Sequence, residues 1–309
     1  MKKFNWISAV SITAILAIST IFISFKNGQL STDLSATYHP EKEFNDYWYQ
    51  NSAEITRFDL KQARYGEIRD GEAVMIFVSE HLSPQEHIKA YNRNGKDIPV
   101  LKLNFMRNFK TGLYPYSVMS SIFTPVDIKS NPHSLRNTFS MQEWCGHVFS
   151  MIDLGQHGLS AKLHSYFPNE GDKSVELDKA FQEDEIWNTI RIDHLVLPIG
   201  EISIIPSMQH LRFAHLPIEQ YTANASKTLE GNSLKYTVDY KQLNRKFSVW
   251  FKSEHPFSII KWEEEVRSGF GSAAKILKTE AVAKSTKMLP YWTKNANSDS
   301  YLREEMGFE

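Results

Sequence analysis

Hydrophobic and polar residues alternate along most of the sequence after residue 50, the period of two expected of β-strands that bury one face. Strands are predicted over 53–60, 63–69, 72–79, 98–104, 111–126, 159–167, 201–206, 211–214, 220–228, 234–240, 246–252, 258–267 and 275–288. Short runs of turn-forming residues separate them, as in a meander of neighbouring antiparallel strands. Asp70-Gly71 reads as a hairpin turn, because both positions tolerate positive φ. Pro115 and Pro125 mark an edge or an irregularity.

Residues 139–152, FSMQEWCGHVFSMI, read as one continuous strand. Phe139, Met141, Glu143, Cys145, His147, Phe149 and Met151 then share one face. Matching apolar residues against the next strand sets Phe149 opposite Leu163 and His147 opposite Ser165, with Gly146 beside Tyr166. Two segments leave the strand pattern. In residues 174–191, Leu177, Ala180, Phe181, Trp187 and Ile190 recur at helical spacing behind a capping Ser174, which predicts an amphipathic helix covering a sheet. Residues 300–306 predict a short last helix closed by Gly307. The fold class expected is mainly β: a large curved antiparallel sheet, forming an open or half barrel, with one covering helix and a short C-terminal helix.

The amino terminus is different. An uncharged run over residues 7–25 lies between Lys2-Lys3 and Lys26. At that length it is closer to a membrane-spanning helix than to a signal-peptide core. Residues 1–26 are therefore expected to be an anchor or a signal peptide, 27–50 a polar tether, and 51–309 a single all-β domain. Either reading of the first segment, anchored or secreted across the inner membrane, places the bulk of the chain outside the cytoplasm. The membrane is then a partner through that segment.

Composition narrows the chemistry. The 309 residues are 41% hydrophobic and 23% charged with a net charge of −1, so a sizeable core is available and no basic face for nucleic acid is expected. One cysteine excludes an intramolecular disulfide and a multi-cysteine zinc site. The histidines are scattered without H-x-x-x-H spacing, and the glycine-rich loop at 268–272 is not followed by GK[ST]. No metal and no cofactor are expected.

Glu143, Cys145 and His147 are the candidate site. They are the residue types of a thiol nucleophile, its base and an orienting group. Same-face neighbours on one strand lie roughly 6.5–7 Å apart, too far for direct contact. The same three polar groups on an apolar face also fit the wall of a ligand pocket.

Several segments carry a resemblance: SMQEWCGHVF, AEITRFDLKQARYGEIRDGEAVMIFVSE, IPVLKLN, TGLYPYSVMSSIFTPV, HSYF, LNRKFSVWF and HPFSIIKWEE. Together they resemble an uncharacterised bacterial envelope family whose members are sometimes labelled septum formation inhibitor Maf. The resemblance covers nearly everything after residue 45 and implies an envelope location. It carries over no catalytic residues, and the S-x-S-P-R-R motif of the Maf nucleotide pyrophosphatases is absent from the sequence. The long strands ending in HPFSIIKWEE are also loosely similar in architecture to periplasmic half-barrel lipoprotein carriers. Three functional expectations follow. The first is non-enzymatic binding of a lipid, glycan or protein in the envelope, or a scaffold role there. The second is a Cys145-dependent hydrolase or transferase. The third is the nucleotide pyrophosphatase that the family label implies.

Overall fold

The computed structural model describes residues 40–91 and 95–308. The expected anchor at 7–25, and the expected tether up to residue 39, lie outside the described residues. Among the described residues, no helix is long and apolar enough to cross a membrane.

Fifteen strands form one sheet. In chain order they are β1 (Ala53–Arg64), β2 (Glu67–Leu82), β3 (Ile98–Thr111), β4 (Tyr114–Pro125), β5 (Arg136–Glu143), β6 (Gly146–Leu154), β7 (Leu159–Ser165) and β8 (Lys173–Leu177). After these come β9 (Phe181–Gln182), β10 (Gly200–Ile205), β11 (Tyr221–Glu230), β12 (Ser233–Tyr240), β13 (Arg245–Lys252), β14 (Ile259–Ser268) and β15 (Lys275–Leu289). Among the described residues four α-helices accompany them: α1 (Pro40–Trp48), α2 (Ile186–Asp193), α3 (Met208–Phe213) and α4 (Tyr301–Met306). The sheet order is β8-β7-β6-β5-β4-β3-β2-β1-β15-β14-β13-β12-β11-β10-β9. Every pairing is antiparallel except the short parallel β9–β10 pair.

The sheet is therefore two meanders joined where β1 meets β15. Its curvature follows from side-chain contacts. Phe105 on β3 and Trp262 on β14 have ring centroids 5.2 Å apart. Their strands are four places apart in the sheet, which would separate them by about 19 Å if it were flat. Trp187 of α2 touches Phe105, Phe247 on β13 and Trp262 together, so the sheet wraps around that helix. The two sheet edges, β8 and β9, are joined by residues 178–180 alone. The sheet thus curls nearly to a barrel and remains open along one seam, as the sequence pattern predicts.

Alternate positions on each strand build the inner wall. Phe58, Met75, Phe77, Leu103, Phe105, Val118 and Ile122 are buried there. The helix α2 fills the space they enclose. All eight of its residues are buried, and Asn188 donates to the Leu101 and Ile122 carbonyls and to Thr124. The short α4 ends at Gly307 in the left-handed region, as expected, and lays Met306 against Ile55 and Val74 on the outer side.

Several expectations are corrected. Asp70-Gly71 is not a turn; it lies inside β2, and the hairpin turns instead at Tyr65-Gly66. Gly71 is needed because a Cβ there would sit 2.3 Å from the Asn108 carbonyl oxygen of β3. The strand expected over 211–214 is part of α3. The helix expected over 174–191 is split: residues near Leu177 belong to the edge strand β8, and helical structure begins only at Glu183, with a 3-10 turn that runs into α2 at Ile186. It plugs the inside instead of covering one side. Part of the expected tether is helix α1, which buries Phe44 and Trp48. The strand expected over 139–152 is a hairpin, β5–β6, that turns at Trp144-Cys145.

Candidate functional site

That hairpin decides the fate of the predicted site. Glu143 pairs with Gly146, so the two-residue turn reverses the parity of everything after it. Glu143 is buried on the inner side, whereas Cys145 sits at the exposed tip and His147 is exposed on the outer side. The three groups do not share a face. Phe149 pairs with His164, and Ser150 with Leu163, one residue away from the expected register. Gly146 does lie against Tyr166: a Cβ on it would be 2.6 Å from that ring. The Cys145 N–H donates to the Glu143 carboxylate at 2.8 Å. The hydrogen bond from its thiol to that carboxylate raises the thiol pKa, the opposite of what an activated nucleophile requires.

The polar groups that do converge lie elsewhere, inside the curve. Glu183, Asp184 and Glu185 precede α2 and are all buried. Arg245 of β13 donates to both oxygens of Glu183 at 2.5 and 2.6 Å and to Glu264 of β14 at 2.5 Å. Tyr240 donates to Glu183 at 2.7 Å, and His210 of α3 lies 3.4 Å from Glu264. Burial raises the Glu264 carboxyl, but Arg245 and His210 outweigh it and hold the group well below the ordinary carboxylate range. Burial, with Arg245 nearby, pushes the His210 imidazole down. Asp184 accepts only the Met208 backbone N–H at 3.0 Å, and burial raises it to about 6. Arg107 of β3 donates to Ser120 at 3.1 Å, and burial lowers it to about 10.

These side chains, with Gln62, Gln209, Trp187 and Trp262, enclose about 20 Å³ of free space. That admits a water and no organic ligand. A second buried pair closes the other end of the interior. Arg191 of α2 grips Glu54 of β1 at 2.5 and 2.7 Å, and Tyr47 of α1 donates to the same carboxylate at 2.5 Å. Among the described residues, the inside of the curve is filled around these two networks, and a cleft of about 200 Å³ lies at its end between α1, residues 126–129 and Ile192-Asp193 of α2.

The larger open space is on the outer side of β1–β4. A groove of about 1020 Å³ runs there beneath the C-terminal segment. Strand pairing sorts its lining into rows. Ile55 lies beside Ile76, and Val74 beside Met106, with Tyr291 and Phe308 packed at that end. Further along, Asp59 lies beside Glu72, and Lys61 beside Asp70, which in turn neighbours Lys110. One end is thus apolar and the other charged, over a length of roughly 20 Å along the strands. Arg57 is neutralised by Glu72 and Asp59, and Lys61 pairs with Asp70. Among the described residues, no group of three or more His, Cys, Asp or Glu is placed to hold a metal ion.

No family model matches the sequence, and no curated protein matches it. Among solved structures, the chain is similar to a beta-barrel-like protein of a domain of unknown function, DUF1849, from Brucella abortus. The likeness has 8% identity and a TM-score of 0.44, and covers 77% of this chain and 98% of that one. Nothing in these comparisons points to the Maf nucleotide pyrophosphatases.

The interior network and the outer groove were both missed by sequence reasoning. The acids of the network fall off the apolar stripe of the helix expected over 174–191, although EDE placed directly before IW is also the pattern of a helix start. The groove had a weaker signal: Ile55, Val74, Ile76 and Met106 fall on positions that alternation assigns to the outer face.

Proposed function

We propose that this chain is a non-enzymatic binding protein of the bacterial envelope, held at a membrane by its amino-terminal segment, and that the outer groove takes a lipid-like amphiphile. The observation that supports this reading is the division of the groove into an apolar end and a charged end while the interior is filled. A ligand with an apolar tail and a polar head matches that division. The tail would displace water from the partly exposed Ile76 and Met106, beside the buried Ile55 and Val74, and the head would meet Lys61, Asp70 and Lys110. The body behind the groove is held by the buried ion pairs, which suits a preformed site. A Cys145-dependent enzyme gains no support from the geometry, because the thiol is held in its neutral form by its acidic neighbour.

The test is native mass spectrometry of the full-length protein released from bacterial membranes. Wild type is expected to carry a co-purifying amphiphile of defined mass. Ile76→Glu places a charge on the apolar floor and is expected to weaken retention roughly tenfold or more, the cost of losing one buried aliphatic contact. If wild type and Ile76→Glu both emerge without ligand, the groove is not a lipid site.

A further inference from the structure

An antiparallel sheet places alternate connections at opposite ends of its strands. Five consecutive connections stand side by side along one end of this sheet: β7–β8, β5–β6, β3–β4, β1–β2 and β14–β15. Each carries a large apolar or aromatic residue, in order Tyr166, Trp144, Leu113, Tyr65 and Phe270. Four of them are strongly exposed: Tyr166 at 72%, Trp144 at 66%, Leu113 at 81% and Phe270 at 73%. Some neighbouring tips touch: Tyr65 stacks on Phe270 at 5.6 Å, and Trp144 stacks on Tyr114 at 6.3 Å.

These are unusual residues for such places. Two-residue hairpin turns favour Asn, Asp and Gly, which reach positive φ without strain. Tyr65 occupies that region with φ 54°, where an Asn would be less strained. Tyr65 is accounted for by the core, since its hydroxyl bonds that of buried Tyr116 at 2.7 Å; neither turn chemistry nor the core accounts for the exposed Tyr166, Trp144, Leu113 and Phe270. Contiguous exposed apolar surface of this kind marks an interaction site. Its composition of Trp, Tyr, Phe and Leu is that of side chains that settle at a membrane–water interface.

Charge points to the same occupant. Around the five tips, Lys110, Lys173, Arg267 and Lys275 are exposed and Arg69 is partly exposed and paired with Glu67, against the exposed carboxylates Glu67, Asp70 and Asp172. The rim is therefore net positive on a chain whose overall charge is −1. Cations set among protruding apolar residues complement an anionic lipid surface: the apolar tips enter the headgroup layer and the cations meet phosphates. We infer that this rim of hairpin tips docks on an anionic lipid bilayer. The docking does not rest on the groove reading, since none of the five tip residues lines the groove, although Lys110 borders both.

The chain's single cysteine lies on the rim and reports on it. In the full-length protein, Cys145 is labelled with an environment-sensitive dye and the protein is added to vesicles of phosphatidylcholine with or without phosphatidylglycerol. A blue shift and enhancement are expected with the anionic vesicles, falling as salt is raised. The same dye on Cys145→Ser/Leu229→Cys, at the opposite end of the sheet, is expected to stay unchanged, which separates rim docking from attachment through the amino-terminal segment. Leu113→Ser and Phe270→Ser should each weaken the Cys145 signal about tenfold in lipid concentration, the cost of one lost apolar anchor. Lys173→Glu/Lys275→Glu, which leaves the groove untouched, should weaken it on anionic vesicles only. Thermal unfolding checks that the variants remain folded. Protein that floats with vesicles without a shift at position 145 overturns the proposal. So does a shift that survives both serine variants, or one produced by lipid-free envelope protein in place of vesicles. Ile76→Glu tests the groove alone and is expected to leave the rim signal intact.

Discussion

The inner and outer sides of β1–β4 are made from alternate residues of the same four strands, yet they carry opposite solutions to burial. On β3 the inner side presents Phe105, Arg107 and Phe109, all buried, while Met106 and Asn108 between them face the groove. Inside, charge is removed from water and tied down by partners. Outside, Ile76 and Met106 keep part of their apolar surface in contact with water. Neither is the cheapest arrangement. Buried ion pairs lose hydration that their attraction only partly restores, so they define one packing more than they add stability. The interior of a wide, curled sheet is too large for its wall residues to fill, and α2 arrives with Glu183, Asp184 and Glu185 at its start. Arg245, His210 and Arg107 are what that intrusion requires. At the outer apolar end Met306, Tyr291 and Phe308 of the C-terminal segment cover Ile55 and Val74 and leave Ile76 and Met106 partly exposed, and it is this remainder that is the candidate for function.

The contrast is tested most severely by removing one cation from each side. Arg245→Met leaves Glu183 and Glu264 buried without their guanidinium, and is expected to cost about 3–5 kcal/mol in urea unfolding or to prevent folding. Lys61→Met breaks the exposed pair with Asp70 and should change stability by no more than about 0.5 kcal/mol. Equal losses would mean that the inside and outside do not differ as described.

A smaller effect isolates one interior carboxylate. Asp184 is raised by burial to about 6 from an ordinary value of 3.8. A folded state that holds its proton more tightly than the unfolded chain is stabilised at low pH, and that contribution is lost as pH rises through about 4 to 6. Asp184→Asn removes the titration and keeps an oxygen for the Met208 N–H. It should therefore stabilise the protein at pH 7 by about 2–3 kcal/mol, with no gain at pH 4. Glu264 works in the opposite sense. Its depressed pKa contributes stability above the ordinary carboxylate range that is lost as pH falls. In wild type the two oppose each other. Unfolding midpoints from pH 3.5 to 7.5 separate them: a variant profile parallel to that of wild type would show that Asp184 is not the group responsible for the falling part.

How much of this was legible in sequence depends on which interaction controls each segment. Strand alternation depends on local burial, so the mainly β fold and the later strands from 220 onward read correctly. The Trp144-Cys145 turn did not, because its residues carry no turn chemistry and Phe149 and Met151 continue the odd-numbered apolar series across it. The even-numbered Val148, Ser150 and Ile152 are the ones buried afterwards. Asp70-Gly71 misled for the converse reason: turn chemistry was present, but Gly71 is required by the approach of β3, a contact more than thirty residues away. The buried acids before α2 were illegible for the same cause. Their partners Arg245 and Met208 are distant in sequence, and only the closing of the sheet brings them together.

The smallest expected effect lies at the hairpin tip, where inside and outside meet. Cys145 is exposed and its side chain packs into no core, so Cys145→Ser should alter stability by less than about 0.5 kcal/mol. Its reactivity is the informative quantity. Glu143 reaches back from the inner side to accept the Cys145 N–H, and its carboxylate opposes formation of a thiolate beside it. The thiol should label more slowly at pH 8 than an equally exposed cysteine placed at Leu229, even though nothing shields it. Glu143→Gln keeps an oxygen for the backbone N–H and removes the negative charge, so labelling should become faster. A rate unaffected by Glu143→Gln would show that the carboxylate does not govern the thiol, and would reopen the case for Cys145 as a nucleophile.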